Sequence, residues 1–451
     1  MHNWRDNACL RVALLTLSCF LLTSTGWIMW LYHLTGLTPA IPTDVLTLVV
    51  GYLTQALGIG LFALLEQRQQ EKQLRLNVVI ALVSYVVCLA LSVLTPDLAV
   101  TLAFGYLSNM LCGYMQGYYL LCLATHVDAR HRGTVFGGAY AASTLLTWLI
   151  ALPGGGMLTR GLGSLMVCCA LTACTIAFVY PPLPTPPLED EPSARPPADD
   201  ASLIPLACAV VLLTSATKSA GFGFPISDLE EGVSLELTRL LYGVGLLVAG
   251  LASDRDRRFG IVCCAASLVT PFVMLLLTNA GTAATLLWAL GYLFYGFFSV
   301  FRVLLFSDLA SEHNLTRLSG MGLLLGRVGD ALGSGLYVAL GANQMALVTT
   351  TSVLFACAMV LLFALYQRQY LVLIDRPLSE QEIFERFCAR HDLSSREREV
   401  LRLLLAERSN SEIAAELFVS EATVKYHVRN LLRKTGCHSR VEIMAVYATG
   451  E

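Results

Sequence analysis

Charge is scarce in this 451-residue chain: Asp, Glu, Lys and Arg make up 14% of it, against about 25% in an ordinary soluble domain. Apolar residues fill the gap, at 55% of the chain with a mean hydropathy of +0.63. That balance excludes a single soluble globule and puts most of the chain in lipid. Enzyme signatures are missing too. There is no P-loop, no Gly-x-Ser-x-Gly elbow and no cluster of metal ligands, so no enzymatic activity and no cofactor are expected. The 14 cysteines show no C-x-x-C spacing with nearby histidines and lie mostly in apolar runs, as in Cys168–Cys169 and Cys263–Cys264. They read as small packing residues, not as a redox or zinc framework. A cleavable leader is not indicated: Arg5 and Arg11 precede an apolar run, but it continues to about Trp30 without a small-x-small site, which suits a first membrane span.

What the chain does have is long apolar runs. Crossing the hydrocarbon takes about 20 residues, and candidates fall near 10–33, 43–65, 75–95, 98–124, 133–156 and 162–180. The stretch "PPLPTPPLEDEPSARPPADD" follows, too rich in proline and acid for a helix or strand. Six more runs lie near 202–224, 236–253, 259–279, 282–309, 319–340 and 343–367. The expected order is six helices (1–180), a linker (181–201), six helices (202–368), a connecting amphipathic helix (369–390) and a small soluble domain (391–451). Loops on one side carry Arg68, Lys72, Arg75, Arg130, Arg132, Arg195, Arg255, Arg257, Arg258 and Arg317; the opposite set has Arg160 and, at a boundary, Arg239. By the positive-inside rule both termini are cytoplasmic, in an inner membrane. "FGYLSNMLCGYMQGYYL" (104–120) and "LGYLFYGFFSVFRVLLF" (290–306) share Gly-Tyr-Leu at an offset of 186 residues, at equivalent places in spans four and ten.

"GLASDRDRR" (250–258) has a glycine, an aspartate and paired basic residues after span eight, and "GYMQG" (113–117) lies on span four. On these features the first 370 or so residues resemble the major facilitator superfamily. That resemblance implies a twelve-helix bundle around a central cavity. The sequence departs from the pattern where Gly113 occupies the place of an arginine usually tied to coupling, and in the first-half loop "LLEQRQQEKQ". Both departures count against proton-coupled transport.

A charge at the bilayer centre costs about 2.5–3.5 kcal/mol on insertion scales. Lys218, Arg302, Asp308, Arg327 and Asp330 all fall inside apolar runs, and Arg302 aligns with Gln116 at the 186-residue offset. The functional reading is a pocket for a small anionic, aromatic compound lined by Gln116, Lys218, Tyr295, Arg302 and Arg327. The structural reading pairs Arg327 with Asp330 on one helix face, sets Asp308 near the cytoplasmic surface and lets Arg302 snorkel.

The charge returns at the end: of 30 Lys and Arg, 12 lie after residue 375. Ser379 and Glu382 have capping-box spacing ahead of Ile383, Phe384 and Phe387, which suits either a linking amphipathic helix or an extension of the next domain. "SSREREVLRLLLAERSN" predicts a helix with Val400, Leu401, Leu404 and Leu405 inward. Asn410 is expected to cap a second helix, and Ser420 a third that Gly436 ends. On the third, Val424, Val428 and Leu431 form the buried stripe, while Lys425, Arg429 and Arg433 recur at four on another face beside Tyr426. Such a face suits the major groove, where Arg and Lys donate to guanine and Tyr packs on thymine methyls. "SRVE" (439–442) has capping-box spacing for a fourth helix with Val441, Met444, Ala445 and Val446 available for contact.

Through "REREVL", "SEIAAELFVSEATVKYHV" and "LLRKTGCHSRVE", residues 391–450 resemble the LuxR-type helix-turn-helix family. The resemblance implies base contacts from Lys425, Tyr426 and Arg429, phosphate contacts from Thr423, Arg433 and Lys434, and a homodimer through the fourth helix. The expected protein is all-α: a twelve-helix transporter-like bundle followed by a four-helix DNA-binding domain. Its expected role is a membrane-bound one-component transcription regulator whose partners are double-stranded DNA, the lipid bilayer and a small-molecule effector. The competing expectation is an active transporter with a regulatory tail.

Overall fold

The computed structural model describes residues 7–37, 45–66, 69–151, 162–179, 203–221, 235–269, 282–371, 384–385, 387–388 and 390–449. The chain divides into two units, Met1–Leu371 and Val372–Glu451. The Pro-rich linker and the cap expected at Ser379–Glu382 lie outside the described residues.

Twelve helices are described in the first unit: α1 (Ala8–Leu37), α2 (Gly51–Glu66, entered through a π-helical turn Val45–Val50), α3 (Glu71–Leu94), α4 (Leu98–His126), α5 (Arg132–Ala151) and α6 (Leu162–Val179), then α7 (Leu203–Gly221), α8 (Leu235–Arg255), α9 (Arg257–Ser267), α10 (Thr282–Glu312), α11 (Met321–Leu340) and α12 (Gln344–Tyr366). Among the described residues of this unit, eight segments are long and apolar enough to cross a membrane. Their outward faces are greasy: Leu64 is 73% and Val360 68% exposed, as lipid contact allows. Helices suit this setting because they satisfy their own backbone. Polar side chains do likewise. Thr23, Thr147, Thr172, Thr214 and Thr351 each donate a hydroxyl to the carbonyl four residues back, at 2.6–2.9 Å. Asp97 caps α4 through the Val100 amide (3.0 Å), and Asn343 caps α12 through the Ala346 amide (3.1 Å).

The helices of each half pack on one another, and the halves meet where α5 lies on α8 and α2 on α11. Backbones approach very closely where α2 crosses α4. A Cβ on Gly113 would stand 2.0 Å from the Gln55 carbonyl oxygen, and one on Gly58 1.9 Å from that of Met110. Position 113 therefore has no room for the arginine of the resembling family; α2 fills that space.

The second unit holds α13 (Ser395–Leu405), α14 (Asn410–Glu416), α15 (Glu421–Thr435) and α16 (Arg440–Thr449) around its own core of Leu401, Leu404, Ile413, Val424, Leu431 and Ile443, each fully buried. Phe384, Phe387 and Cys388 belong to that core, and the Phe387 ring meets Tyr447 edge-on at 5.3 Å. Phe384, Phe387 and Cys388 thus extend the small domain, as the second of the two sequence readings has it.

Candidate functional site

Serine–glutamate pairs set the helix starts of the small domain. Ser394 and Glu397 form a reciprocal capping box on α13, and Ser409 and Glu412 form another on α14. Ser409, not Asn410, is the cap; Asn410 is the first helical residue, because only from Ser409 does the third following residue, Glu412, reach back. Phe418 turns the chain with φ 54°, then Ser420 caps α15 through the Thr423 amide at 3.2 Å. Gly436 closes α15 in the left-handed region, φ 73°, where glycine is favoured.

These caps fix the roll of α15. Val424 and Leu431 face inward, and Val428 packs against the same core. Lys425, Tyr426, Arg429 and Arg433 face outward. Among the described residues, the Lys425 ammonium has Glu421 of its own helix as its ion-pair partner, at 3.8 Å, with 61% of its side chain exposed. The Thr423 and Ser420 hydroxyls are hydrogen-bonded to each other at 2.8 Å. The result is a short helix with a dry ridge and a cationic, aromatic-tipped ridge.

Lys434 does something the sequence reading did not anticipate. Its ammonium donates to the Glu397 carboxylate (2.8 Å) and to the Asp392 carbonyl (2.6 Å), so it ties α15 to the start of α13 instead of standing free for a phosphate. Glu397 is buried, at 5% exposure. Burial pushes its carboxyl up, but Lys434 and the Ser394 amide and hydroxyl outweigh this and hold it below the ordinary value of about 4.5. A depressed carboxylate contributes stability that is complete above the unfolded value and drains away as pH falls through the folded one. Glu397→Gln in purified residues 376–451 should cost about 2 kcal/mol at pH 7 and show less further loss on acidification to pH 3, read by urea denaturation.

On α16 the Ser439 hydroxyl accepts the Glu442 amide (3.2 Å), while Glu442 reaches back to the His438 amide (2.6 Å). Met444 and Val446 pack on the domain's own core, which leaves Val441 (73%) and Ala445 exposed on this helix.

In the first unit the buried charges converge on one carboxylate. Asp330 of α11 accepts from Lys218 of α7 at 2.7 Å and from Ser219 at 3.1 Å. It also pairs with Arg302 of α10 at 3.3 Å and with Arg327 of its own helix at 3.9 Å. Lys218, Arg302 and Asp330 are at most 3% exposed, so Arg302 does not snorkel. The Lys218 ammonium sits 4.1 Å over the Tyr295 ring, and the Arg327 guanidinium 4.6 Å over Tyr52. Asp330 had been read only as a helix-face partner of Arg327. Gln116 stands apart from this cluster: it is buried, and its amide bonds Cys112 Sγ within α4 at 3.4 Å.

A second network joins the halves at "GLASDRDRR". Asp254 accepts from the Gly133 amide (2.7 Å) and from the Thr134 amide and hydroxyl (2.6 Å each), capping α5 from α8. Asp308 bridges Arg132 and Arg257, both at 2.8 Å.

The model of the bacterial regulatory proteins of the luxR family matches residues 391–447. The chain is 53% identical over 55 residues to a nitrate/nitrite response regulator protein homolog of Haemophilus influenzae, covering 12% of this chain and 26% of that one. Over 48 residues it is 48% identical to the spore germination protein GerE of Bacillus subtilis, covering 11% and 65%. It thus spans between about a quarter and two thirds of the length of these relatives. The human organic anion transporter MFSD10 superposes with a TM-score of 0.54 at 17% identity, over 79% of this chain and 98% of that one. The Escherichia coli fucose:proton symporter FucP gives 0.54 at 12%, over 80% and 97%. At these identities the likeness is one of fold. Residues 391–447 are therefore a helix-turn-helix domain of the LuxR type, joined to a unit of apolar helices that shares the fold of these two transporters.

Proposed function

We propose that this chain is a membrane-bound one-component transcription regulator. The observation that carries the reading is the roll of α15, which turns Lys425, Tyr426 and Arg429 outward opposite Val424 and Leu431. Those three side chains read base edges in the major groove, with Thr423 and Arg433 on flanking phosphates. Lys434 holds the helix in place. Two copies pair through α16, where Val441 is exposed, and present two half-sites. The Lys and Arg bias of the loops puts both ends of the chain in the cytoplasm, at the inner membrane, within reach of promoter DNA. A small molecule, held in the bundle near Lys218, Tyr295, Arg302 and Arg327, biases it between two states and so alters how the tails pair. It must bind one state more tightly than the other, since equal binding shifts nothing.

The second reading, an active transporter with a regulatory tail, draws on the Asp254 network, which ties the two halves together as a moving gate requires. The closed-off position 113 favours the regulator. Duplex binding by purified residues 376–451, measured against salt, tests the DNA claim. Affinity should fall steeply with salt, and Arg433→Ala should reduce the log–log slope by about 1. A slope unchanged by Arg433→Ala removes that phosphate contact.

A further inference from the structure

Three cations from three helices share one carboxylate. Among the described residues, Asp330 is the only acid paired with Lys218, Arg302 and Arg327, so two positive charges are left uncompensated in a region where unpaired charge is expensive. The hydrogen-bond accounts are also open. Arg302 donates Nη1 to Asp330 at 3.3 Å and Arg327 holds its Nη1 3.9 Å away, while the Nε of each is buried without a partner. A guanidinium edge with Nε–H and Nη–H side by side is the fork that a carboxylate fits. Gly326 lets the Arg302 side chain lie directly on α11: a Cβ there would stand 2.4 Å from Arg302 Nη1.

Next to the cations runs a row of rings. Tyr140 stacks on Phe20 at 3.8 Å and meets Tyr242 at 5.5 Å, and Tyr242 meets Tyr295 at 5.1 Å, beneath Lys218. The row crosses from α1 and α5 in the first half to α8 and α10 in the second. A ring on a ligand would extend it by the same edge and face contacts.

We propose that the effector is an aromatic carboxylate. Its carboxylate takes the unpartnered Nε–H groups of Arg302 and Arg327, its ring lies against the tyrosines, and Asp330 is the internal acid it competes with for the three cations. This deepens the regulator reading and rests on it only for the word effector. Because Arg327 also lies on Tyr52 of α2, a ligand there touches the seam between the halves.

The test uses the full-length protein in detergent, with its thermal unfolding followed against sodium benzoate, benzamide or cyclohexanecarboxylate at constant ionic strength. Benzoate should raise the midpoint saturably and neutral benzamide should not. Asp330→Asn, which frees the cations, should tighten the benzoate response at least tenfold, whereas an acid needed only for structure would weaken it. Arg327→Gln, which keeps Lys218 and Arg302 on Asp330, should weaken the response at least tenfold and carries the test if Asp330→Asn does not accumulate. No saturable benzoate effect in the wild type, or an unchanged response in Arg327→Gln, overturns the proposal. Cyclohexanecarboxylate binding as tightly as benzoate overturns its aromatic half. No DNA is present, so failure here leaves the regulator reading to be judged by promoter binding alone.

Discussion

In purified residues 376–451, Lys425→Ala and Arg429→Ala are each expected to weaken binding to the operator duplex by about 10- to 100-fold, the effect of losing about 1–3 kcal/mol of base contact. Arg429 is exposed, with no carboxylate in ion-pair reach among the described residues. Lys425 gives up only a 3.8 Å surface contact to Glu421 when it turns to DNA, and such pairs contribute little. Neither side chain belongs to the core formed by Val424, Leu431 and Ile443. Folding should therefore be unchanged within about 0.5 kcal/mol, as measured by urea denaturation. A loss of binding with intact stability assigns the residues to the interface. Equal binding by all three proteins rejects that assignment.

Gly113→Ala should prevent the full-length protein from accumulating in membranes, or lower its unfolding midpoint in detergent sharply. The new methyl would stand 2.0 Å from the Gln55 carbonyl oxygen and 2.9 Å from its carbon, and backbone cannot swing aside as a side chain can. Separating α2 from α4 also strains the buried Gln55–Asn109 hydrogen bond of 2.9 Å. Overpacking of this kind costs about 1–3 kcal/mol, and more where backbone must move. Gly138→Ala, with nothing within 4 Å of its Cβ, is the matched control and should behave as wild type. A Gly113→Ala protein as stable as that control would show that α2 and α4 are not in backbone contact.

The twelve helices described in the first unit could be read from the chain because lipid demands long contiguous apolar runs, and the structure describes a helix at each of those runs. The helix-turn-helix could be read because caps, buried stripe and terminal glycine keep fixed spacing over fewer than 30 residues. What escaped was tertiary. Asp330 draws in Lys218 and Arg302 from 112 and 28 residues away, distances no local pattern spans. Internal symmetry groups Gln116 with Arg302, yet its amide nitrogen donates to Cys112 Sγ one turn away on α4 and its Oε1 is buried without a partner. Lys434 and Arg433 look alike as neighbouring cations, but only Lys434 has Glu397 within reach. Asn410 and Ser409 both suit a cap, and the choice falls to Ser409 because Glu412 lies three residues on.

The central claim is that a domain fused to a membrane bundle reads promoters with one face of α15. It is tested most directly by recovering DNA cross-linked to the full-length protein from the membrane fraction of growing cells. The account predicts a discrete set of promoter fragments with the wild type, lost when Lys425 and Arg429 are both changed to Ala while the protein stays in the membrane. Recovery of no specific fragments, or of the same fragments with the double variant, would contradict it.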